Sequence, residues 1–395
     1  MENNELQSSP IVNYDIVICG GGVAGLWLLN VLTKEGFDVL LLEKFALGGI
    51  QTMASQGMIH GGQRYLLGKN SSTHAKSVAL LPSRWDACLK GTGEVDLSAV
   101  RVLSETQVMW PTGGLLAHFA LSSASHMLMA KMRKLDVGNV PMVLNEVKGI
   151  PVFELPEKVL DVASLVEVLS GPHNLRIKKG EVDSITRDGW LKVSDLHFKA
   201  QVVICAAGLG NEELLKLLDA GKSKTQRRPL RQFMVKPMPY PLYGHGITTS
   251  YKPSVTVTSH PLPSGDYVWY LGGALADDSL SLTDDDAIAF AKTKMKEIFS
   301  HLDWSEKLWS TWYGMRAEAF SENGRLPSGP VLQEYGSVLV TWPTKLTLAP
   351  LLGDLVLSRL TKKGVLPRHS NSPPKLLNLA LPPMSAFPWD HTIWS

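Results

Sequence analysis

Cysteine is nearly absent from this sequence. Three occur in 395 residues, at Cys19, Cys88 and Cys205, with no CxxC pair and no His/Cys spacing of a zinc site. That excludes a disulfide framework and gives no metal site, and a chain of this length can bury a core large enough to need neither. A reducing, cytoplasmic setting is expected. No apolar run approaches the length of a bilayer span, so no integral membrane segment is expected. Met1 to Pro10 is polar with two acids, unlike a secretory signal. Net charge is also small: 39 Lys and Arg against 37 Asp and Glu leave a formal +2, which implies no general attraction to nucleic acid or anionic lipid. The one basic cluster, Lys222, Lys224, Arg227, Arg228 and Arg231, reads as a solvated loop. A nucleophile elbow and a P-loop lysine are missing as well.

Glycine is plentiful where it matters. Tyr14-Asp-Ile-Val-Ile-Cys-Gly-Gly-Gly-Val-Ala-Gly25 is an apolar strand running into Gly20-x-Gly22-x-x-Gly25 and then a helical pattern that starts at Val23 and Ala24. Such a turn leaves the strand tightly at the first glycine. The second lets backbone approach a pyrophosphate, and the third lets the helix pack closely on the sheet. The helix start adds free N–H groups and a positive dipole end. A second strand, Phe37 to Leu42, ends in Glu43, where an acid bonds the ribose hydroxyls of an adenine dinucleotide and disfavours a 2′-phosphate. FAD or NAD is therefore the expected ligand.

Further along, Gly48 to Gly62 is too long and glycine-rich for an ordinary connection. A helix is expected from Asp161 to Ser170, then a strand from Leu175 and an antiparallel meander turning at Asp188-Gly189. Ala200 to Gly208 reads as a buried strand. Strands broken by Pro and Gly fill Phe233 to Leu271, and helices are expected over Thr283 to Phe299 and Ser305 to Tyr313. Val338 to Thr341 reads as a strand, and a helix carries Pro350 in its first turn. The fold class is α/β with an α+β second lobe: a Rossmann-like dinucleotide domain formed by 1–85, 160–232 and 314–395, into which 86–159 and 233–313 insert a mixed or antiparallel substrate domain.

Five ordered stretches resemble the FAD-dependent oxidoreductases of the D-amino-acid oxidase superfamily. They are the glycine turn with Glu43; Val202-Val-Ile-Cys-Ala-Ala-Gly208; Arg228-Pro-Leu-Arg-Gln232; and Gly314 to Gly329 followed by Leu346-Thr-Leu-Ala-Pro-Leu-Leu-Gly353. The resemblance implies FAD as cofactor, held by Gly20, Gly22, Val23, Ala24, Gly25, Glu43, Lys44, Thr52, Ser55, Gln56, Gly57, Ala207, Gly208, Arg316, Lys345, Leu346 and Thr347. Ile59-His-Gly-Gly-Gln-Arg-Tyr65 is similar to loops of the glycerol-3-phosphate and 2-hydroxyglutarate dehydrogenases, which leans the reading toward hydroxy acids or polyols. Two departures stand out: Trp342-Pro-Thr-Lys-Leu346 replaces the usual Gly-His-x-Gly, and Arg316 precedes Ala where Pro is common.

The reaction implied is oxidation of a CH–OH or CH–NH bond by hydride transfer to flavin N5. In it His60 positions the substrate or takes its proton. Arg64 and Arg316 bind a substrate anion, and Lys345 stabilises charge on the reduced ring. His245 and Tyr270 are candidates to line the pocket. The substrate expected is a small anion, and the electron acceptor oxygen, a quinone or a carrier protein. Two rivals remain: a flavoenzyme acting on a modified tRNA nucleoside, docked through the basic cluster, and a flavin-binding redox sensor without turnover.

Overall fold

The computed structural model describes residues 11–60, 78–113, 132–145, 150–220, 225–248, 253–321, 324, 327, 329–368 and 375–395. Two eight-stranded sheets organise them. In the first, the strand Ile11–Cys19 lies parallel between Leu196–Cys205 and Val39–Glu43. Val338–Trp342 extends it in parallel beyond Leu196–Cys205, and Ile177–Lys179 beyond Val39–Glu43. Ile16, Val17 and Ile18 are wholly buried, as a parallel strand covered on both faces requires. The helices Val23–Lys34, Val162–Ser170 and Ala349–Lys362 bury their apolar sides against this sheet. Asp161 caps the second of them by accepting a hydrogen bond from the Ser164 N–H at 3.1 Å.

The second sheet runs, in order, Leu308–Ala319, Thr225–Met238, Tyr267–Gly272, Val255–Pro261, Gly244–Ile247, Gln107–Pro111, Phe153–Leu155 and Arg133–Lys134. It is mixed, because Gly244–Ile247 pairs in parallel with Gln107–Pro111 while its other neighbours are antiparallel. Side chains alternate across a strand. Phe233, Val235, Trp269 and Leu271 therefore point to one face, where they pack with Ala287, Ala291 and Met295 of the helix Asp284–Ile298. The opposite face carries Gln232, Met234, Thr256, Tyr270 and Arg316, and it is this face that meets the loop following the first sheet.

Two expectations are corrected here. Ser305 to Tyr313 is not a helix: Leu308–Ala319 is a strand paired along its length with Thr225–Met238. A run of Trp, Thr and Tyr suits a pleated surface, and the sheet partner overrides the helical spacing. The basic cluster is likewise no loop from Thr225 onward but part of that long strand, with Arg227 on Glu212 at 2.8 Å, Arg228 on Glu318 at 3.1 Å and Arg231 on Asp284 at 2.8 Å; Lys222 and Lys224 lie outside the described residues. The expected boundaries at 232/233 and 313/314 fall inside these two strands.

Segment 375–395 runs from one sheet to the other. Lys375 pairs with the buried Asp38, which Arg176 also contacts at 2.7 Å. The Leu47 backbone then bonds Pro383 and Ser385, and Ser395 exchanges backbone hydrogen bonds of 2.8 and 2.9 Å with Trp309. Between those points Phe387 stacks on Trp389 with ring centroids 4.4 Å apart, and Trp389 lies 4.2 Å from His260.

Burial pushes the His260 imidazole down to about 4, with Asp161 opposing only in part, and burial beside Arg176 likewise pushes His173 to about 4. Between about pH 6.5 and 4 the unfolded chain takes up protons that the folded chain refuses, so stability should fall as pH falls through that window. For His260 the loss is on the order of 3 kcal/mol. Denaturant unfolding of the wild type and of His260→Phe from pH 7 to 4 should show a shallower decline in the variant; parallel curves would refute the assignment.

Candidate active site at the seam between the sheets

Parallel alignment brings the carboxyl ends of Ile11–Cys19, Leu196–Cys205 and Val338–Trp342 to one edge of the first sheet, where ligands of open α/β sheets bind. At that edge Gly20 adopts φ +115°, and a Cβ there would lie 2.6 Å from the Ala206 carbonyl oxygen. A Cβ on Gly25 would lie 1.9 Å from the Gly20 carbonyl oxygen. Both positions therefore exclude any other residue. A Cβ on Gly22 would come 3.2 Å from Thr52 Oγ1, which accepts the Val23 N–H at 3.1 Å. Helix geometry leaves the N–H groups of Ala24 and Gly25 without intrahelical acceptors, facing the same turn. Glu43 is already engaged: its carboxylate accepts the Gly21 N–H at 2.6 Å and the Phe45 N–H at 2.8 Å. An ionised carboxylate has about four acceptor positions, so capacity for ribose hydroxyls remains. Its neighbour Lys44 turns to Glu181 at 2.7 Å and Glu213 at 3.3 Å, and the bond to Glu181 holds its pKa above the ordinary lysine value.

On the other side of the edge Ala207 and Gly208 follow the end of their strand, Gly208 with φ +58°. Asn211, wholly buried, accepts the Ala207 N–H at 2.9 Å and donates to the Thr341 carbonyl at 3.0 Å. It thereby ties the ends of two strands together. Lys345 precedes the turn Leu346–Leu348 that opens the helix Ala349–Lys362, and the buried Thr347 offers its carbonyl to Trp85 Nε1 at 3.0 Å. Thr344, just before them, has φ +65°, a region costly for a β-branched residue.

The loop from Gln51 to His60 bridges the two sheets. Gln51 Oε1 accepts the Ala317 N–H at 3.1 Å. Gln56 accepts from Thr256 Oγ1 at 2.8 Å and donates to the Tyr270 carbonyl at 3.0 Å, while the Tyr270 hydroxyl donates to the Ala54 carbonyl at 3.0 Å. Tyr270 is fully buried, and burial raises its phenol far above its usual range. The residue holds the loop. His60 ends this stretch with its ring centroid 5.7 Å from that of His245 and its Nδ1 3.7 Å from Glu157 Oε2. His245 Nε2 lies 3.0 Å from Gln107 Oε1. Arg316 is half-buried on the same sheet face as Arg228 and Glu318, and burial lowers its pKa. Arg64 falls outside the described residues.

A flavin dinucleotide fits this set. The helix start offers N–H groups without intrahelical acceptors, and the buried hydroxyls of Ser55 and Thr344 have no hydrogen-bond partner among the described residues. A buried orphan hydroxyl costs about 1–3 kcal/mol unless something satisfies it. Glu157, Gln107, Asn211 and Thr344 were not signalled by any motif. Only the departure at Trp342-Pro-Thr-Lys-Leu346 pointed toward Thr344.

Thr344 is left-handed beside the strand edge where a dinucleotide would lie, and strain of this kind is retained where it serves a contact. Thr344→Gly should stabilise the apoprotein by about 1 kcal/mol while weakening FAD retention about tenfold, or roughly 1.4 kcal/mol. Thermal melts with and without FAD test both halves; a variant that is less stable and holds FAD unchanged would contradict the reading.

The DAO family model, described as FAD dependent oxidoreductase, matches residues 15–359. A Pseudomonas aeruginosa protein described as a probable FAD-dependent oxidoreductase is 37% identical over 384 residues, spanning 95% of this chain and 97% of that one. The crystal structure of an FAD-dependent oxidoreductase from Pseudomonas aeruginosa matches with a TM-score of 0.83 at 34% identity, covering 96% of this chain and 98% of that one. FAD-bound L-α-glycerophosphate oxidase from Mycoplasma pneumoniae shares the fold alone, with a TM-score of 0.64 at 16% identity over 89% of this chain and 95% of that one. Likeness to glycerol-3-phosphate dehydrogenase of Pseudomonas tolaasii is confined to 67 residues at 36% identity, 17% of this chain and 13% of that protein, too little to indicate a substrate. The glycine cradle, the seam beside it and the two full-length matches together make this chain a member of the DAO family of FAD-dependent oxidoreductases.

Proposed function

We infer that the chain oxidises a small anionic molecule at a CH–OH bond, a 2-hydroxy acid or polyol phosphate, or secondarily at a CH–NH bond. The observation behind this reading is the His60 imidazole, 40% exposed at its side chain, set in the seam beside His245 and against Glu157. FAD supplies the two-electron oxidant when bound, and the protein's part is to hold, orient and handle protons. Gly20, Gly22, Val23, Ala24 and Gly25 are the groups to hold the pyrophosphate. Glu43 holds the ribose, with Lys44 beside it. Thr52, Ser55, Gln56, Gly57, Ala207, Gly208, Leu346 and Thr347 line the remaining length.

His60 receives the proton of the substrate hydroxyl. Arg316 supplies a planar cation for the substrate carboxylate or phosphate, with Arg64 a second candidate. Burial on a crowded sheet face strengthens such a pair by limiting its competition with water. Lys345, at the start of the turn, would balance negative charge on the flavin once it is reduced. His245 and Tyr270 shape the wall. Among the described residues no helix is long and apolar enough to cross a membrane, and no His/Cys/Asp/Glu group could hold a metal ion. A cytoplasmic enzyme passing electrons to oxygen, a quinone or a carrier protein suits this reading.

A tRNA-directed flavoenzyme would draw on the basic cluster, yet Arg227, Arg228 and Arg231 each carry a carboxylate partner. A non-catalytic redox sensor has no need of an imidazole backed by a carboxylate.

Anaerobic mixing of the FAD-loaded protein with hydroxy acids, polyol phosphates and amines should bleach the flavin absorbance for at least one class. His60→Ala should slow that bleaching by about 10²-fold or more at full flavin content. Undiminished reduction would remove His60 from the chemistry. Arg316→Ala should raise KM roughly tenfold, the scale of a charged hydrogen bond, and wild-type affinity should fall as salt is added; a KM indifferent to both would rule out the anionic substrate.

A further inference from the structure

We propose that Glu157 positions His60 with its Nε2 lone pair toward the substrate, and that this carboxylate–imidazole dyad suits the site to a CH–OH rather than a CH–NH bond. The proposal rests on His60 as the proton acceptor. It adds the group that makes the imidazole a base in one orientation.

The pair is built into the backbone. The Leu160 N–H donates to the Gly57 carbonyl at 2.9 Å, the Ile59 N–H donates to the Lys158 carbonyl at 2.9 Å, and Met58 and Val159 form an antiparallel bridge. Gly57 opposite Leu160 and Met58 opposite Val159 put His60 opposite Glu157 in the same register. Opposed residues of an antiparallel pair have Cβ atoms about 4.5–5.5 Å apart, so their side chains meet. Gly57 is required for this approach, since at φ +66° a Cβ would lie 2.1 Å from the Leu160 carbonyl oxygen. Loop 57–60 is therefore held to 157–160 by main-chain bonds that no surface side chain can replace.

Chemistry then favours one tautomer. Glu157 is 7% exposed, and its Oε2 faces His60 Nδ1 at 3.7 Å. A carboxylate only accepts, so a contact from this side favours hydrogen on Nδ1 and leaves the lone pair on Nε2. The separation is longer than a formed hydrogen bond, as base–orienter contacts often are before substrate closes the site. The neighbouring ring is oriented by different means. Gln107 donates from Nε2 to the Lys158 carbonyl at 3.4 Å, which turns its Oε1 to His245 Nε2 at 3.0 Å. His245 Nε2 thus carries hydrogen, and the same 157–160 stretch sets both rings.

The dyad matters for the substrate class. When an alcohol is oxidised, the C–H bond breaks and its electron pair leaves as hydride to the FAD oxidant. The O–H bond gives its proton to His60 Nε2, and a C=O bond forms. A neutral amine needs no such base, because its nitrogen lone pair forms the C=N bond as hydride leaves. Glu157 also stabilises the imidazolium that results, and its charge keeps a substrate carboxylate away from this end of the seam.

The test uses the full-length, FAD-loaded protein labelled with 15N at histidine, with His60→Gln identifying the His60 signals. His60 is expected mainly as the Nδ1–H tautomer, and Glu157→Leu should move it toward Nε2–H. In stopped-flow reduction by lactate, 2-hydroxyglutarate and glycerol 3-phosphate, Glu157→Leu should lose roughly 10–100-fold in rate with KM nearly unchanged, and Glu157→Asp should recover part of it. A wild-type Nε2–H tautomer, or a Glu157→Leu protein with unaltered tautomer and rate, overturns the role of Glu157. If Glu157→Leu does not fold, the wild-type tautomer and Glu157→Gln decide. Faster bleaching by alanine or glutamate than by the matching hydroxy acids, or no bleaching by any of the three alcohols, overturns the substrate class. Should His60→Gln reduce the flavin as fast as wild type, the underlying reading of His60 fails instead.

Discussion

The site depends on a polar stitch between two sheets that share no strand. Tyr270, inside the second sheet, gives its hydroxyl to the Ala54 carbonyl, and Gln56 reaches back to Thr256 and to the Tyr270 carbonyl. The Tyr270 bond is buried and the two Gln56 bonds are partly so, and in such a setting leaving a partner unmade costs more than the bond itself contributes. They fix the Gln51 to His60 loop at the seam. Everything with chemical potential then falls within its reach: the glycine cradle at one end, His60 with Glu157 and His245 at the other, and Arg316 on the facing sheet. Segment 375–395 reinforces the arrangement from outside by binding Leu47 on one lobe and Trp309 on the other.

Alternation along the strands explains how one surface can serve the site while the other serves stability. Phe233, Val235, Trp269 and Leu271 build the core beneath the helix Asp284–Ile298, whereas Gln232, Thr256, Tyr270 and Arg316 face the loop. A shift of register by one residue would exchange the two faces. The long pairing of Thr225–Met238 with Leu308–Ala319 guards against that. It also sets Arg228 beside Glu318 and Arg231 beside Asp284, so these two members of the basic cluster, expected on a solvated loop, lie on a strand with carboxylate partners.

Much of the nucleotide half was legible because its requirements are local. A turn that brings one carbonyl within 1.9 Å of where a Cβ would sit admits glycine alone, so Gly25 announces the geometry by itself. Apolar runs such as Ile16 to Ile18 and Val202 to Ile204 reveal strands buried on both faces. The second sheet was harder to read. Leu308–Ala319 carries the aromatic and β-branched content of a strand together with a spacing that also suits a helix, and only its partner decides between them.

The sequence by itself determined the dinucleotide turn, the acid after the second strand, the cofactor class and the presence of a histidine in a long glycine-bearing loop. Tertiary structure alone decided what that histidine faces. Glu157 and Gln107 belong to no motif and sit far from His60 along the chain; an antiparallel pairing of 57–60 with 157–160 brings Glu157 to it, and Gln107 joins through the Lys158 carbonyl and His245. Strand registers are set by long-range hydrogen bonds and packing, which leave no fixed spacing in the sequence, whereas a glycine turn is set by steric contacts between residues only a few positions apart.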